Sequence, residues 1–290
     1  MSNQPGSVAL NTPPMLPPTN SGQLPSSIAD MQRMAEQGNK AISESQFPEM
    51  EDSPSLEVSL PGGAITPSGE LITTARVREM NGFDEEALAR LSINTNVAVY
   101  VTELLSRCVE DLGGQKPTKE DMRYLLIGDR DALAIGISKA TYGPKVDKLQ
   151  LTCQKCGEKS DLVIDLDEDV KTIPLKDPKQ RTFQVPLKRG SAEIELLLGK
   201  DQEEFSKDIG KKTIPEQTTE LLSLAVRKVN GKDVSGDDAL RHLSSADRTT
   251  ITDFIKDTQP GPDLSNIPVN CATCGEEYPI SLGIANLFRF

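Results

Sequence analysis

The chain has 290 residues but no tryptophan, one histidine, four tyrosines and seven phenylalanines. Because His242 is the single histidine, no histidine cluster can bind a metal, and a Ser-His catalytic pair would depend on that residue alone. We interpret His242 as a surface residue of a short helix. The sequence also lacks the phosphate-binding motifs G-x-x-x-x-G-K-[ST] and G-x-G-x-x-G. We therefore predict that the protein is not an enzyme and takes no small-molecule substrate.

Long apolar runs and net positive charge are missing as well. No run approaches the roughly 18 apolar residues that cross a bilayer. The first residues lack the basic and apolar regions of a signal peptide. With 44 acidic and 32 basic residues, the formal net charge of −12 opposes binding to a phosphate backbone. We expect synthesis in a cytoplasm, and neither a membrane nor a nucleic acid as partner.

The composition predicts an extended or disordered N-terminal tail over residues 1–54, which hold eight of the twenty prolines. Within it, Ile28, Met31 and Met34 are placed at helical spacing and form one short apolar stripe. Two interpretations stay open: a flexible tail with a nascent helix, or a segment that folds onto the groove of a partner. On the second interpretation, these three residues bind the partner.

From residue 55 onward the patterns predict an α+β fold in three parts. Residues 55–145 form a β-hairpin and a small helical cluster, residues 146–170 with 266–290 a split zinc ribbon, and residues 171–265 an α+β insertion. Apolar spacing and capping residues predict helices at 85–93, 97–112, 117 onward, 129–140, 201–211, 215–229, 235–243 and 247–255, with Ser245 or Asp247 capping the last. Strands are expected at 183–187, 192–198 and 267–269.

Two C-x-x-C-G motifs contain four of the five cysteines: Cys153, Cys156, Cys271 and Cys274. In each motif the spacing lets both thiolates point into one tetrahedral site, and the glycine permits the tight turn. Reduced thiols are expected in a cytoplasm, which favours metal ligands over disulfides. We therefore predict one zinc ion, bound by four cysteines, that closes residues 157–270 into a loop. Iron remains an alternative metal for an all-thiolate site.

The two cysteine pairs have two other interpretations besides a metal site. A redox C-x-x-C of the thioredoxin type lies between a strand and a helix, whereas each pair here precedes a charged turn and a predicted second strand. The pairs could also be unrelated reduced thiols. If all four bind one metal, no coordination position is left for water or substrate, so the metal is structural.

The string Leu125-Leu-Ile-Gly-Asp-Arg130, with a later Tyr-Gly and the first C-x-x-C-G motif, resembles a known family. The chain is similar to the baseplate hub and hub-assembly proteins of contractile-tailed, T-even-type bacteriophages. A Leu-Pro-Gly-Gly hairpin at residues 60–63 and the helix opening Gly82-Phe-Asp-Glu-Glu extend the resemblance, which covers about residues 56–175.

The resemblance implies a structural component of a phage tail baseplate or hub, located in the virion after synthesis in the host cytoplasm. Its partners would be other tail and baseplate proteins. Only the four cysteines carry over, as metal positions, and no catalytic residue does. Two alternatives remain: an assembly chaperone that dissociates before the particle is complete, and a host-directed adaptor with an acidic zinc ribbon. The long tail and the insertion leave open whether the protein stays in the particle.

Overall fold

The computed structural model describes residues 55–91, 96–234 and 236–288. The predicted tail, with Ile28, Met31 and Met34, lies outside the described residues. Within them, helices alternate with small sheets in which every paired strand is antiparallel. The predicted α+β class is therefore confirmed.

The described chain opens with the predicted β-hairpin, β1 (Leu56–Ile65) and β2 (Leu71–Val77), to which β3 (Val109–Leu112) adds a third strand. The β1–β2 register breaks between Ser59 and Ala64, so the Leu-Pro-Gly-Gly segment forms an irregular bulge within β1. Gly63 in this bulge has φ +73°, a conformation that glycine adopts at little cost. The bulge turns backbone groups away from the strand ladder and toward the helices.

Four helices follow the hairpin: α1 (Gly82–Ala89), α2 (Val97–Cys108), α3 (Lys119–Tyr124) and α4 (Ile127–Tyr142). Asp84 was expected at the start of α1, and it lies in the first turn, where it completes a capping box with the N-cap residue Asn81. Thr118 and Asp121 form the predicted capping box of α3. Local capping chemistry thus explains where α1 and α3 begin.

The ribbon and the insertion make up the rest of the chain. The ribbon contains β4 (Lys145–Thr152), β5 (Lys159–Asp165), β12 (Ile267–Asn270), β13 (Glu277–Ile280) and α9 (Ile284–Leu287). Between its halves lie β6 (Thr172–Ile173), β7 (Thr182–Leu187), β8 (Gly190–Glu195), α5 (Gly199–Ser206), a 3₁₀ turn (Ile209–Lys211), α6 (Ile214–Ala225), β9 (Val226–Val229), β10 (Lys232–Asp233), α7 (Asp237–Arg241), α8 (Ser245–Thr258) and β11 (Gly261–Pro262).

Two predicted helices, 97–112 and 215–229, were too long, because α2 and α6 each pass directly into a strand. The first strand residues, Val109 and Val226, still donate their N–H groups to helix carbonyls, yet both have extended backbones. Val109 pairs with β2 and Val226 with β8. Apolar spacing could not reveal these ends, since both valines also fit the helical stripe and sheet pairing decides their conformation.

Smaller corrections concern the insertion. The helix predicted at 201–211 is divided into α5 and the 3₁₀ turn, and the strand predicted at 192–198 ends at Glu195. The N-cap of α8 is Ser244, one residue before the predicted Ser245, while Asp247 lies in the first turn. Ser244 Oγ accepts from the Asp247 N–H at 3.1 Å, which fixes this helix start.

Three hydrophobic clusters make up the described core, of which the smallest joins Leu126 to Leu175 and Leu196 of the insertion. The first, which we call the main cluster, combines the hairpin and α2–α4 with ribbon residues that include Val146, Ile164, Ile267 and Val269. The second, the insertion cluster, is built from Val185, Ala192, Ile194, Leu197, Leu222, Ala225, Val226, Leu240, Ile251 and Ile255. The ribbon strands thus pack with the hairpin and helices, whereas the insertion has apolar residues of its own. The predicted domain boundaries remain a prediction.

Candidate metal centre

The first cysteine motif forms a tight turn between β4 and β5. The Cys153 N–H donates to the Glu158 carbonyl at 2.9 Å, and the Gly157 N–H donates to the Cys153 carbonyl at 2.9 Å. Gly157 has φ +73°, so a residue with a side chain would be strained there. This hydrogen bonding folds the segment 153–158 back on itself.

The second motif repeats the same geometry between β12 and β13. The Cys271 N–H donates to the Glu276 carbonyl at 2.8 Å, and the Gly275 N–H donates to the Cys271 carbonyl at 2.9 Å. The φ of Gly275 is +69°. The two turns therefore have equivalent hydrogen bonds and glycine conformations, as predicted from their shared C-x-x-C-G pattern.

The two turns bring all four predicted cysteine sulfurs together, within 4.8 Å of one another. Cys153 Sγ lies 3.8 Å from Cys274 Sγ, and Cys156 Sγ lies 3.7 Å from Cys271 Sγ. These distances are far above the roughly 2.05 Å of a disulfide. Four sulfurs placed about 2.3 Å from a central ion in a tetrahedron are separated by about 3.8 Å. The donor set and its spacing are therefore compatible with a metal site.

The four-cysteine site has a buried side and an exposed side. Cys153 and Cys271 are buried, whereas Cys156 and Cys274 are exposed. The N–H groups of Cys274 and then Thr273 lower the pKa of the Cys271 thiol to about 6. The hydrogen bond from the Glu158 N–H lowers the pKa of the Cys156 thiol, but desolvation and the neighbouring thiols outweigh it and raise that pKa to about 12. Lys155 and Glu276, one from each turn, form an ion pair across the cluster. The backbone hydrogen bonds shape each turn internally, and this ion pair is a contact from one turn to the other.

A family comparison decides what kind of protein carries this site. The model of the family described as "T4 bacteriophage base plate protein" matches residues 57–289, most of the chain. The chain belongs to this baseplate family. Comparison with curated proteins and with solved structures gave no match.

The family match confirms the resemblance to T-even-type phage baseplate proteins and extends it, since residues 171–265 are covered as well. Membership supports a structural, non-enzymatic role in the baseplate, a location in the virion tail and interaction with other tail proteins. Among the described residues, no helix is long and apolar enough to cross a membrane. His242 is exposed and follows the last residue of α7.

The Gly-Asp-Arg string that carried the baseplate resemblance is buried inside α4, far from the cysteines in sequence. A Cβ on Gly128 would lie 1.7 Å from the Pro260 carbonyl oxygen, so glycine is required where α4 meets the chain next to β11. Because Pro260 lies near the end of the insertion, this close contact places that end against α4.

Asp129 accepts a backbone hydrogen bond from the β1 bulge. The Gly62 N–H donates to Asp129 Oδ1 at 2.7 Å, while the Arg181 guanidinium donates to the carbonyls of Gly62 and Gly63, the latter at 2.7 Å. Burial raises the pKa of Asp129 to about 6, against the Gly62 hydrogen bond, which lowers it. The Leu-Pro-Gly-Gly and Gly-Asp-Arg segments, on which the sequence resemblance rests, thus meet in one contact.

Arg130 is fully buried and connects three helices. Its Nη1 donates to the Met122 carbonyl at 2.9 Å, and its Nη2 donates at 2.9 Å to both the Ala98 carbonyl and Thr102 Oγ1. A Cβ on Gly199 would lie 2.1 Å from Nη1, so α5 must begin with glycine. Sequence reasoning assigned Asp129 and Arg130 no structural role. The available signal was a run of three charged residues, 129–131, in an otherwise largely apolar helix.

Proposed function

We propose that this chain is a structural component of the phage baseplate hub in which one zinc ion, bound by Cys153, Cys156, Cys271 and Cys274, joins the two ends of residues 157–270. The observation that carries the proposal is the convergence of the four sulfurs, at spacings that match a tetrahedral thiolate site, in a chain of the baseplate family. Assignment to the hub rests on the sequence resemblance.

The site chemistry supports a structural metal. Four thiolates complete a tetrahedral coordination shell, so no position is left for a substrate or an activated water molecule. The ligands come from turns between paired strands, and these strands belong to the main cluster. Binding would therefore fix β4–β5 and β12–β13 to each other and hold the base of the insertion closed. Zinc is proposed over iron because closed Cys₄ sites on paired turns are a common structural zinc arrangement.

The division into parts is also proposed. The hairpin and helices (55–145) with the ribbon (146–170 and 266–290) would form one platform, and the insertion (171–265) would project from it. Support comes from the main cluster and the insertion cluster, whose buried members follow this division, while the small cluster of Leu126, Leu175 and Leu196 connects the two parts. The tail, residues 1–54, would bind a neighbouring subunit through Ile28, Met31 and Met34, as their helical spacing suggests.

The proposal is tested by mass spectrometry of purified phage particles together with metal analysis of the isolated full-length protein. We expect the chain in the particles, and about one zinc per chain, without the visible absorption of a ferric thiolate site. Zinc in a protein that is absent from particles would favour the assembly chaperone or the host-directed adaptor. A chain present in particles without any metal would overturn the zinc assignment and leave the baseplate role.

A further inference from the structure

Phe83 is the most exposed large apolar side chain in the described part of the chain, with 81% of its surface accessible. The chain is poor in aromatic residues, and leaving phenylalanine in water forfeits the stabilisation that its burial would give. Tyr124, another exposed aromatic residue, is partly covered, since the Lys200 ammonium lies 4.9 Å from its ring centre. The described residues provide no such cover for Phe83.

The backbone that presents Phe83 is rigidly held. Phe83 is the second residue of α1, and its N–H donates to the Asn81 side chain at 3.0 Å. The next residue, Asp84, is buried and accepts both Arg78 guanidinium nitrogens, at 2.6 and 3.2 Å. The ring is therefore displayed from a fixed helix start, so that a partner would need little ordering of this backbone to bind it.

The charges around Phe83 indicate the chemistry of that partner. Asp84 is neutralised internally by Arg78, but the neighbouring Glu85 and Glu86 are exposed and form no ion pair with the described residues. Aromatic anchors surrounded by polar groups are typical binding hot spots. Two uncompensated carboxylates beside such an anchor are complementary to lysine or arginine at the edge of an apolar pocket.

We propose that Phe83, flanked by Glu85 and Glu86, docks this chain into an apolar pocket with a basic rim on another baseplate protein. This inference rests on the proposed baseplate function and specifies one contact through which that function is carried out. The ring supplies most of the buried apolar surface at the contact, and the two carboxylates steer and orient the approach.

The test uses baseplate intermediates purified from cells infected with a phage in which the gene for this chain is inactivated. Full-length protein is added, and the amount that co-sediments is measured over a range of protein and salt concentrations. We expect Phe83→Ala to weaken binding about tenfold or more. The double variant Glu85→Lys, Glu86→Lys should also bind more weakly, with the largest difference from wild type at low salt because screening is least there.

Two matched variants serve as controls. Ile214→Ala removes an exposed apolar side chain, 72% accessible, from the insertion, and Glu168→Lys reverses an exposed charge on the ribbon side of the chain. Both should bind like wild type. Because Phe83 is exposed, Phe83→Ala should keep the wild-type thermal melting temperature, which shows that the loss is not caused by misfolding.

The outcomes separate the inference from the proposed function. If the wild-type protein binds the intermediates and Phe83→Ala binds them equally well, the docking contact is overturned and the baseplate role remains. Equal weakening by Phe83→Ala and Ile214→Ala would also overturn it, since the effect would not be specific to this site. Failure of the wild-type protein to bind the intermediates or to appear in particles would overturn the proposed function itself.

Discussion

The main cluster and the insertion cluster are assembled in different ways. The insertion cluster draws all its buried residues from a continuous stretch, 185–255. The main cluster draws its residues from both sides of that stretch, so segments that are remote in sequence must meet: Val146 and Ile164 lie before the insertion, and Ile267 and Val269 after it. Bringing remote segments together costs loop-closure entropy. The main cluster therefore needs connections that hold these remote segments together.

Those connections lie where remote segments meet. The four cysteines converge between the two halves of the ribbon, and Asp129 and Arg130 join α4 to the β1 bulge and to α2 and α3. In the insertion, apolar side chains of α6, α8 and the four-stranded sheet β10-β9-β8-β7 pack together. Polar contacts contribute there as well, since the Lys188 N–H donates to Asp247 and the Arg248 guanidinium donates to Thr219. The comparison teaches that buried polar groups occur in both parts, whereas the candidate metal ligands lie where the two halves of the ribbon meet, between cysteines that are 115 and 121 positions apart in sequence.

Among the predicted changes, loss of the metal should have the largest effect, and it should act on the main cluster rather than on the insertion cluster. Cys153→Ser and Cys271→Ser should each lose bound zinc and lower the free energy of unfolding by on the order of 4 kcal/mol or more, because metal binding is coupled to folding. Hydrogen exchange should accelerate in β4, β5, β12 and β13, while α6 and β8 remain protected. Proteases should cut more readily within residues 157–270.

Cys108→Ala is the matched control, since Cys108 is a buried thiol outside the cluster. It should keep the wild-type metal content, although it leaves a small cavity. Unchanged metal content and stability in both ribbon variants would show that the cysteine cluster does not hold this part of the fold together.

Cavities in the two clusters test whether they are separate cooperative units. Leu104 and Leu222 are fully buried in the main and the insertion cluster, respectively. Each substitution by alanine should cost about 3 kcal/mol. Hydrogen exchange under native conditions should show Leu222→Ala accelerating exchange in β7–β9 and α6, and Leu104→Ala accelerating it in the hairpin and the ribbon. Identical acceleration over the whole chain by both variants would show a single unit.

Arg130→Lys should have a smaller effect, about 2 kcal/mol, because an ammonium group keeps the charge but loses the forked geometry that reaches Ala98, Thr102 and Met122 together. Chemical denaturation measures the change. Arg123→Lys is the control: Arg123 is partly exposed and pairs with Glu120 and Glu203, so its replacement should cost less than about 1 kcal/mol. Equal losses in the two variants would argue against a special role for Arg130.

Sequence reasoning predicted the parts of this fold that depend on local patterns. The β1–β2 hairpin, the Thr118 capping box and the paired turns at Cys153 and Cys271 have signatures a few residues long. The convergence of the four sulfurs was predictable too, because a tetrahedral site needs two such turns.

What could not be predicted depends on contacts between remote segments. The ends of α2 and α6 are set by pairing of Val109 and Val226 with strands elsewhere in the chain. Likewise, the burial of Arg130 requires carbonyls from α2 and α3 and a glycine at the start of α5. Neither type of contact leaves a periodic signal in the sequence.

The smallest effect is expected from Asp129→Asn, and it appears in the pH dependence of stability. Burial raises the pKa of Asp129 from 3.8 to about 6, so the folded state binds a proton more tightly than the unfolded state. Its contribution to stability is therefore present below about pH 4 and is lost as the pH rises to about 6. The asparagine variant should lack this loss, while its amide oxygen can still accept from the Gly62 N–H. Near neutral pH we expect the variant to be about 1 kcal/mol more stable than wild type, once the cost of burying the amide nitrogen is included.

Urea denaturation at a series of pH values, compared between wild type and variant, isolates this contribution. Asp131→Asn is the variant for comparison. Burial also raises the pKa of Asp131 to about 6, so its carboxyl should make the free energy of unfolding fall over the same pH range. If the two effects are independent, each variant removes its own part of the fall, and the double variant removes both. A wild-type pH profile that Asp129→Asn leaves unchanged would mean that the carboxyl beside the β1 bulge is solvated. The polar connection between the Leu-Pro-Gly-Gly and Gly-Asp-Arg segments would then be weaker than its burial implies.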